Sequence, residues 1–223
     1  GEQLLKNFLT ISGIKIKKQE INKEFVENII ADIKDSIGGE KAICALSGGV
    51  DSSVAALLVY KAIGQNLTSF YIDSGLMRDG ETEVLQKVFS KHYKMDIEII
   101  DAKKAFLDAL KGISDPEEKR KVIGKIFIDV FERQAKKIGA KFLVQGTIYP
   151  DVIESKGTKH AQVIKSHHNV GGLPSKMKLA LTEPLRNFYK DEVKKIGKVL
   201  GLPDQIIDRQ PFPGPGLSVR IIG

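Results

Sequence analysis

Val26, Ile29, Ile30, Ile33 and Ile37 recur at helical spacing behind Asn22, so the apolar pattern predicts an amphipathic helix capped by that asparagine. The period then collapses. Ala42-Ile43-Cys44-Ala45-Leu46 is apolar throughout, as expected of a strand buried on both faces. A short polar run follows, and 54–59 is apolar again, with Leu57, Leu58 and Lys61 at helical spacing and Gly64 as a stop. Further strands are predicted at 67–72, 97–100 and 141–144. They end in Asp73-Ser74-Gly75, in Asp101 and in Gln145-Gly146-Thr147. A helix is expected from Gly80-Glu81 onward, and another over 189–200, stopped by Gly201-Leu202-Pro203. Strands alternating with helices predict an α/β fold, a parallel twisted sheet wound by helices. In such sheets ligands sit beyond the carboxyl ends of the strands, where every informative cluster of this chain falls.

Three stretches interrupt the alternation. Residues 102–139 are too long for one crossover helix. Asp115-Pro116-Glu117-Glu118 is a helix start, and Val122, Ile126, Val130 and Phe131 carry an apolar face onward, so a helical excursion that could lean over the strand ends is expected. From Asp151 to Pro174 the pattern is irregular and polar, which reads as a long loop, of a length that is usually functional or disordered. The tail Pro211-Phe212-Pro213-Gly214-Pro215-Gly216 reads as a rigid connector because its prolines fix φ and remove donors. Residues 217–222 read as the beginning of a further strand.

The run Ser47-Gly48-Gly49-Val50-Asp51-Ser52-Ser53 carries the chemistry. It lies between strand and helix, where two glycines let the backbone approach an anion and successive N–H groups form a concave nest. The helix directs its positive dipole end to the same place, and Ser47, Ser52 and Ser53 add hydroxyls. Asp51 would repel a phosphate unless a cation lay between, which suggests a Mg²⁺ ligand. No Lys-Ser/Thr pair closes the run, so it is not the loop of ordinary ATPases. A plain Gly-Gly turn with a polar helix cap is the structural alternative.

Composition changes the picture little. The net charge of +7 and a pI near 9.3 fit a polyanionic partner. The lysines, however, scatter over helix faces such as 15–18 and 194–198 with little aromatic interleaving, which favours nucleotides over nucleic acid. No apolar run approaches the ~20 residues that span a bilayer. With one cysteine, Cys44, there is no internal disulfide, and a cytoplasmic setting is expected.

The glycine-serine run resembles the pyrophosphate-binding loop (PP-loop) of the N-type ATP pyrophosphatases. Longer stretches narrow the resemblance to the ATP pyrophosphatase part of GMP synthetase: 73–78, 146–155, 165–174, Glu183-Pro184-Leu185-Arg186, Lys190-Asp191-Glu192-Val193, and 209–216. The resemblance covers about residues 20–223 and implies an adenine nucleotide alpha hydrolase-like fold. It implies that ATP adenylates XMP, releasing pyrophosphate, and that ammonia then displaces AMP to give GMP.

Carried over by match, Ser47, Gly48, Gly49, Val50, Asp51, Ser52 and Ser53 hold the phosphates, Ile72, Asp73 and Gly146 flank the adenosine, and Asp51 holds Mg²⁺. Asp51 and Lys165, the latter stabilising pyrophosphate, are the implied catalytic residues. Arg78, Tyr149, Pro150 and Asp151 are candidates for XMP, although Arg78 also reads as a surface cap and Tyr149 and Pro150 as loop shapers. Glu154 stands between joining Mg²⁺ and satisfying nearby backbone N–H groups. His167 and His168 read as hydrogen-bonding loop histidines, since no third ligand stands at zinc spacing.

Cys44 lies inside an apolar strand with no glycine beside it, unlike a nucleophile on an exposed turn. Ammonia is therefore expected from a separate glutamine amidotransferase subunit or from solution. The division expected is an ATP pyrophosphatase domain over 1–210, then a connector and first strand over 211–223 opening a truncated C-terminal dimerisation domain. That domain would make a homodimer and complete the XMP site. Gln210 departs from the family pattern, which carries His before Pro-Phe-Pro-Gly-Pro-Gly.

Overall fold

Side chains of Ala42–Leu46 (β1) divide between two cores: Ala42, Cys44 and Leu46 pack on one side and Ile43 on the other. In the computed structural model, which describes residues 1–14, 20–156, 179–210, 212 and 214–221, β1 is the middle of a parallel sheet. Its partners are Leu67–Asp73 (β2), Ile97–Asp101 (β3), Phe142–Val144 (β4) and Ala180–Thr182 (β5), in the order β3-β2-β1-β4-β5. All four pairings are parallel. The three-residue β5 carries no periodic signal and is not anticipated by the sequence pattern.

On one face lie Lys23–Ile37 (α2), Val50–Ile63 (α3), Glu81–Tyr93 (α4), Lys190–Leu200 (α8) and Asp204–Ile207 (α9). The Asn22 side chain accepts from the Phe25 amide at 2.9 Å, as the sequence predicts for a cap of α2. The first helix past the glycine run, α3, is buried from Ser53 to Val59 because α2 and α8 cover the side turned away from the sheet. That enclosure explains why it is apolar almost all round.

The other face is covered by Lys103–Leu110 (α5) and Pro116–Ile138 (α6). Asp115 caps α6, accepting from the Glu118 amide at 2.7 Å, and Pro116 takes the first turn. Phe106, Ile123, Val130, Phe131 and Ala135 pack on Ile43, Phe70, Ile72 and Leu143. The stretch expected to lean over the strand ends is thus the second helical layer of the sandwich.

Two other expectations are corrected. The long loop expected from Asp151 begins inside a helix, Tyr149–Lys156 (α7). Residues 216–220 form a 3₁₀ turn instead of the expected strand. Lys119 holds that turn against α6, its ammonium donating to the carbonyls of Ser218 (3.3 Å) and Ile221 (2.8 Å). Glu2–Ile11 (α1) is a helix that the sequence pattern did not single out. The stretch carrying Lys165, His167 and His168 lies outside the described residues. No helix among the described residues is long and apolar enough to cross a membrane.

Candidate nucleotide site

Sheet order reverses between β1 and β4, which makes a crevice at their carboxyl ends, the place where open parallel sheets take ligands. The serine-glycine run sits there. Gly48 adopts φ +76°, a conformation that favours glycine, and Gly49 precedes the first turn of α3, so that turn's unpaired N–H groups open onto the crevice. The hydroxyls of Ser47 and Ser52 lie 3.0 Å apart, and the Ser52 hydroxyl donates to the Gly49 carbonyl at 3.1 Å. Short local bonds therefore set the loop's shape. The Val50 and Ser53 side chains are buried, so in this state the hydroxyls open to a ligand are those of Ser47 and Ser52.

Gly146, just past β4, forms the opposite wall. A Cβ there would come within 2.8 Å of the Asp51 carbonyl carbon and the Ser52 nitrogen. Only a residue without a side chain lets β4 approach the start of α3 so closely. On the other side of β1, Ile72 and Asp73 run past the last β1–β2 pair, Leu46 with Tyr71, so the edge of β2 is there no longer matched by β1. The Ile72 side chain is buried in the second core. The Asp73 carboxylate accepts from the Gly75 amide (2.9 Å) and pairs with Lys103 (3.0 Å). That hydrogen bond and charge raise the Lys103 pKa.

Asp51 sits in the first turn of α3, and the ammonium of Lys190, in the first turn of α8, meets its carboxylate at 2.7 Å. Among the described residues no cluster of three His, Cys, Asp or Glu could hold a metal by itself. One half-buried carboxylate beside a phosphate-sized nest fits Mg²⁺, which usually takes one or two protein carboxylates and completes its shell with phosphate oxygens and water. Lys190 belongs to a stretch the sequence singles out, but its meeting with Asp51, 139 residues away, has no sequence signal.

Arg78 lies on the loop after β2. Its guanidinium donates to the Gln210 carbonyl at 3.1 Å and stacks over Phe212, 4.6 Å from the ring centroid. Tyr149 and Asp151 are engaged elsewhere: the Tyr149 ring meets Tyr189 edge-on at 5.2 Å, and the Asp151 carboxylate accepts from the Ile148 amide at 3.0 Å. These contacts shape the start of α7, where Pro150 also sits.

Two residues of the site escape sequence reasoning. Glu81 is 3% exposed and pairs with Arg209 at 3.0 Å, and Arg209 also donates to the Gly48 carbonyl at 3.1 Å. A partner 161 residues away has no spacing signature. Burial, and then the charges of Glu81 and Asp73, push the Tyr71 hydroxyl above its ordinary pKa. Cys44 is buried, and that burial pushes its thiol up to about 12, so it is no nucleophile.

A parallel α/β sheet with this loop at its switch point defines a nucleotide-binding domain of the PP-loop class. The same fold occurs in NMN synthetase from Francisella tularensis, with a TM-score of 0.68 at 19% identity, covering 89% of this chain and 78% of that one. It also occurs in NH3-dependent NAD synthetase from Campylobacter jejuni, with a TM-score of 0.64 at 14% identity, covering 86% and 80%. The family model described as Thiamine biosynthesis protein (ThiI) matches residues 38–210, and the chain belongs to that family. The whole chain also matches the "GMP synthase [glutamine-hydrolyzing]" of Thermotoga petrophila at 56% identity over 224 residues and that of Aquifex aeolicus at 53% over 225. The resemblance to GMP synthetase carried by the motifs therefore extends over the full chain. The chain spans 44% of the length of each of these relatives.

Proposed function

We propose that this chain is the ATP pyrophosphatase part of a GMP synthetase, a ligase that forms a carbon–nitrogen bond. One observation carries the reading: the serine-glycine run occupies the sheet's switch point, walled by Gly146, in a chain 56% identical to a GMP synthase. The 2-oxygen of XMP attacks the α-phosphorus of ATP. The bond to the bridging oxygen breaks, and that electron pair leaves with pyrophosphate. Ammonia then adds at the purine carbon, loses its extra protons to solvent, and expels AMP with the oxygen.

The first step asks the protein for positioning and for charge uptake on the leaving group rather than for covalent chemistry. The amides of 47–53 and the Ser47 and Ser52 hydroxyls hold the β- and γ-phosphates. The main chain at Ile72, Asp73 and Gly146 holds the adenosine. Asp51 holds Mg²⁺, which when bound neutralises phosphate charge, and Lys190 balances that carboxylate before nucleotide arrives. Lys165 adds a cation to pyrophosphate. Arg78 receives XMP, with Tyr149, Pro150 and Asp151 shaping the far side of its site.

Residues 211–223 connect this domain to a dimerisation domain that completes the XMP site in a homodimer, and the protein works in the cytoplasm. Ammonia comes from a glutamine amidotransferase expected as a separate subunit. The role of this chain is the same if that activity is fused to it, and more than half of each relative lies outside the match. Sulfur transfer, the alternative chemistry for a PP-loop enzyme, lacks a reactive thiol in this chain, whose one cysteine is enclosed in β1. The test is to supply Mg-ATP, ammonia and XMP together. AMP, pyrophosphate and GMP in equal amounts, none of them formed when XMP is omitted, support the reading. ADP with orthophosphate, or turnover indifferent to XMP, refutes it.

A further inference from the structure

A buried ion pair stands behind the nucleotide loop. Glu81 opens α4 and is turned inward by Gly80, which takes the left-handed conformation at φ +71°. Its Oε1 meets Arg209 at 3.0 Å, and the Arg209 side chain is 16% exposed. The same guanidinium nitrogen donates to the Gly48 carbonyl at 3.1 Å. So close is the pair to the loop that a Cβ on Gly48 would fall 2.1 Å from Glu81 Oε1 and 3.0 Å from Arg209. A carboxylate this near a phosphate-sized nest would repel the ligand if left alone, and the arginine neutralises it.

We propose that Glu81 and Arg209 are positioning residues for the pyrophosphate loop. In a planar trans peptide the carbonyl and the next amide point in opposite directions. Arg209 draws the Gly48 carbonyl inward, and the N–H of Gly49, which is exposed, is thereby aimed at the crevice. With its carbonyl released, the Gly48 peptide is free to turn its oxygen toward the phosphates, replacing attraction by repulsion. Glu81 fixes the guanidinium for this task and offsets its charge. This deepens the reading that the loop holds the outer phosphates of ATP and depends on it.

Arg209 also begins the segment whose Gln210 and Phe212 engage Arg78. The Leu217 amide donates to the Leu76 carbonyl at 2.7 Å, closing the same segment onto the same loop. One piece of chain therefore sets the nucleotide loop through Arg209 and the neighbouring loop through Gln210.

The test is calorimetric titration of the protein with Mg-ATP and, separately, with Mg-pyrophosphate, for the unaltered protein, R209M, R209K and the double variant E81Q/R209M. Thermal unfolding of each is followed in parallel. R209M is expected to weaken both ligands by about tenfold or more, and the double variant, which leaves no unpaired carboxylate beside the nest, is expected to remain weakened by about tenfold, the scale of one lost charge-assisted hydrogen bond. R209K, which keeps the charge and one donor, is expected to recover part of the loss. A merely structural pair would lower the melting temperature and leave the affinity of the folded fraction unchanged. Should R209M not fold, the double variant, which buries no unpaired charge, decides. Affinities within experimental error of the unaltered protein in a folded variant overturn the proposal and leave the pyrophosphatase reading standing. An unaltered protein that binds neither ligand overturns both.

Discussion

Two loops at the carboxyl ends of neighbouring strands are held in opposite ways. The loop after β1 is largely its own scaffold: Ser47, Gly49 and Ser52 bond to one another within six residues. The loop after β2 is held from far away, Arg78 by Gln210 and Phe212, Leu76 by Leu217, and Glu81 by Arg209. The loop after β1 thus takes its shape mainly from a contiguous run, with Arg209 on Gly48 as a distant tie, whereas the loop after β2 is held by distant residues, Arg209, Gln210, Phe212 and Leu217. Loss of that docked segment should loosen the second loop more than the first.

The comparison can be broken at either loop. The largest effect is expected from D51A, which removes the carboxylate carried by the run itself and takes from the Lys190 ammonium its partner at 2.7 Å. Pyrophosphate release should fall by on the order of a hundredfold or more. D51N should fall comparably, because the charge rather than the shape is what is lost.

G146A comes next, since its methyl group would sit 2.8 Å from the backbone of α3. Chemical unfolding should show a loss of about 2 kcal/mol or more, because main chain must shift rather than a side-chain tip. Weaker ATP binding should accompany it.

R78M separates the two loops. On the proposed assignment of Arg78 to XMP, the Michaelis constant for XMP should rise by about tenfold while that for ATP stays within about twofold. An equal rise in both would show the loops to be one unit. S52A, which cuts the local scaffold, should cost ~1 kcal/mol of stability. The smallest effect concerns Cys44: with its thiol pushed up to about 12, only about one part in ten thousand is thiolate at pH 8. Alkylation of the folded protein should be undetectable until denaturant is added.

The same contrast explains what could be read from sequence. β1, β2, the glycine run and the capped starts of α2 and α6 follow from period, turn chemistry and caps, which are local. The three-residue β5 has too few positions for a period and gains its place only by pairing with β4. Residues 151–156 read as loop because they carry no long apolar stripe; the Asp151 turn and the Tyr149–Tyr189 contact hold them in α7. Residues 217–222 are strand-like in composition, yet docking on Leu76 and Lys119 bends 216–220 into a 3₁₀ turn. In the site, the nest was legible as a word, whereas Lys190 on Asp51 and Arg209 on Gly48 are long-range meetings that only the fold creates.

Following the phosphorus of ATP through a single turnover with XMP and ammonia is the most direct measurement of the central claim. Label in the β-phosphate should leave as pyrophosphate, with label in the α-phosphate recovered as AMP, and D51A should abolish both. Label from the γ-position appearing as orthophosphate at the first turnover, with ADP left behind, would contradict a loop built to release the outer two phosphates together.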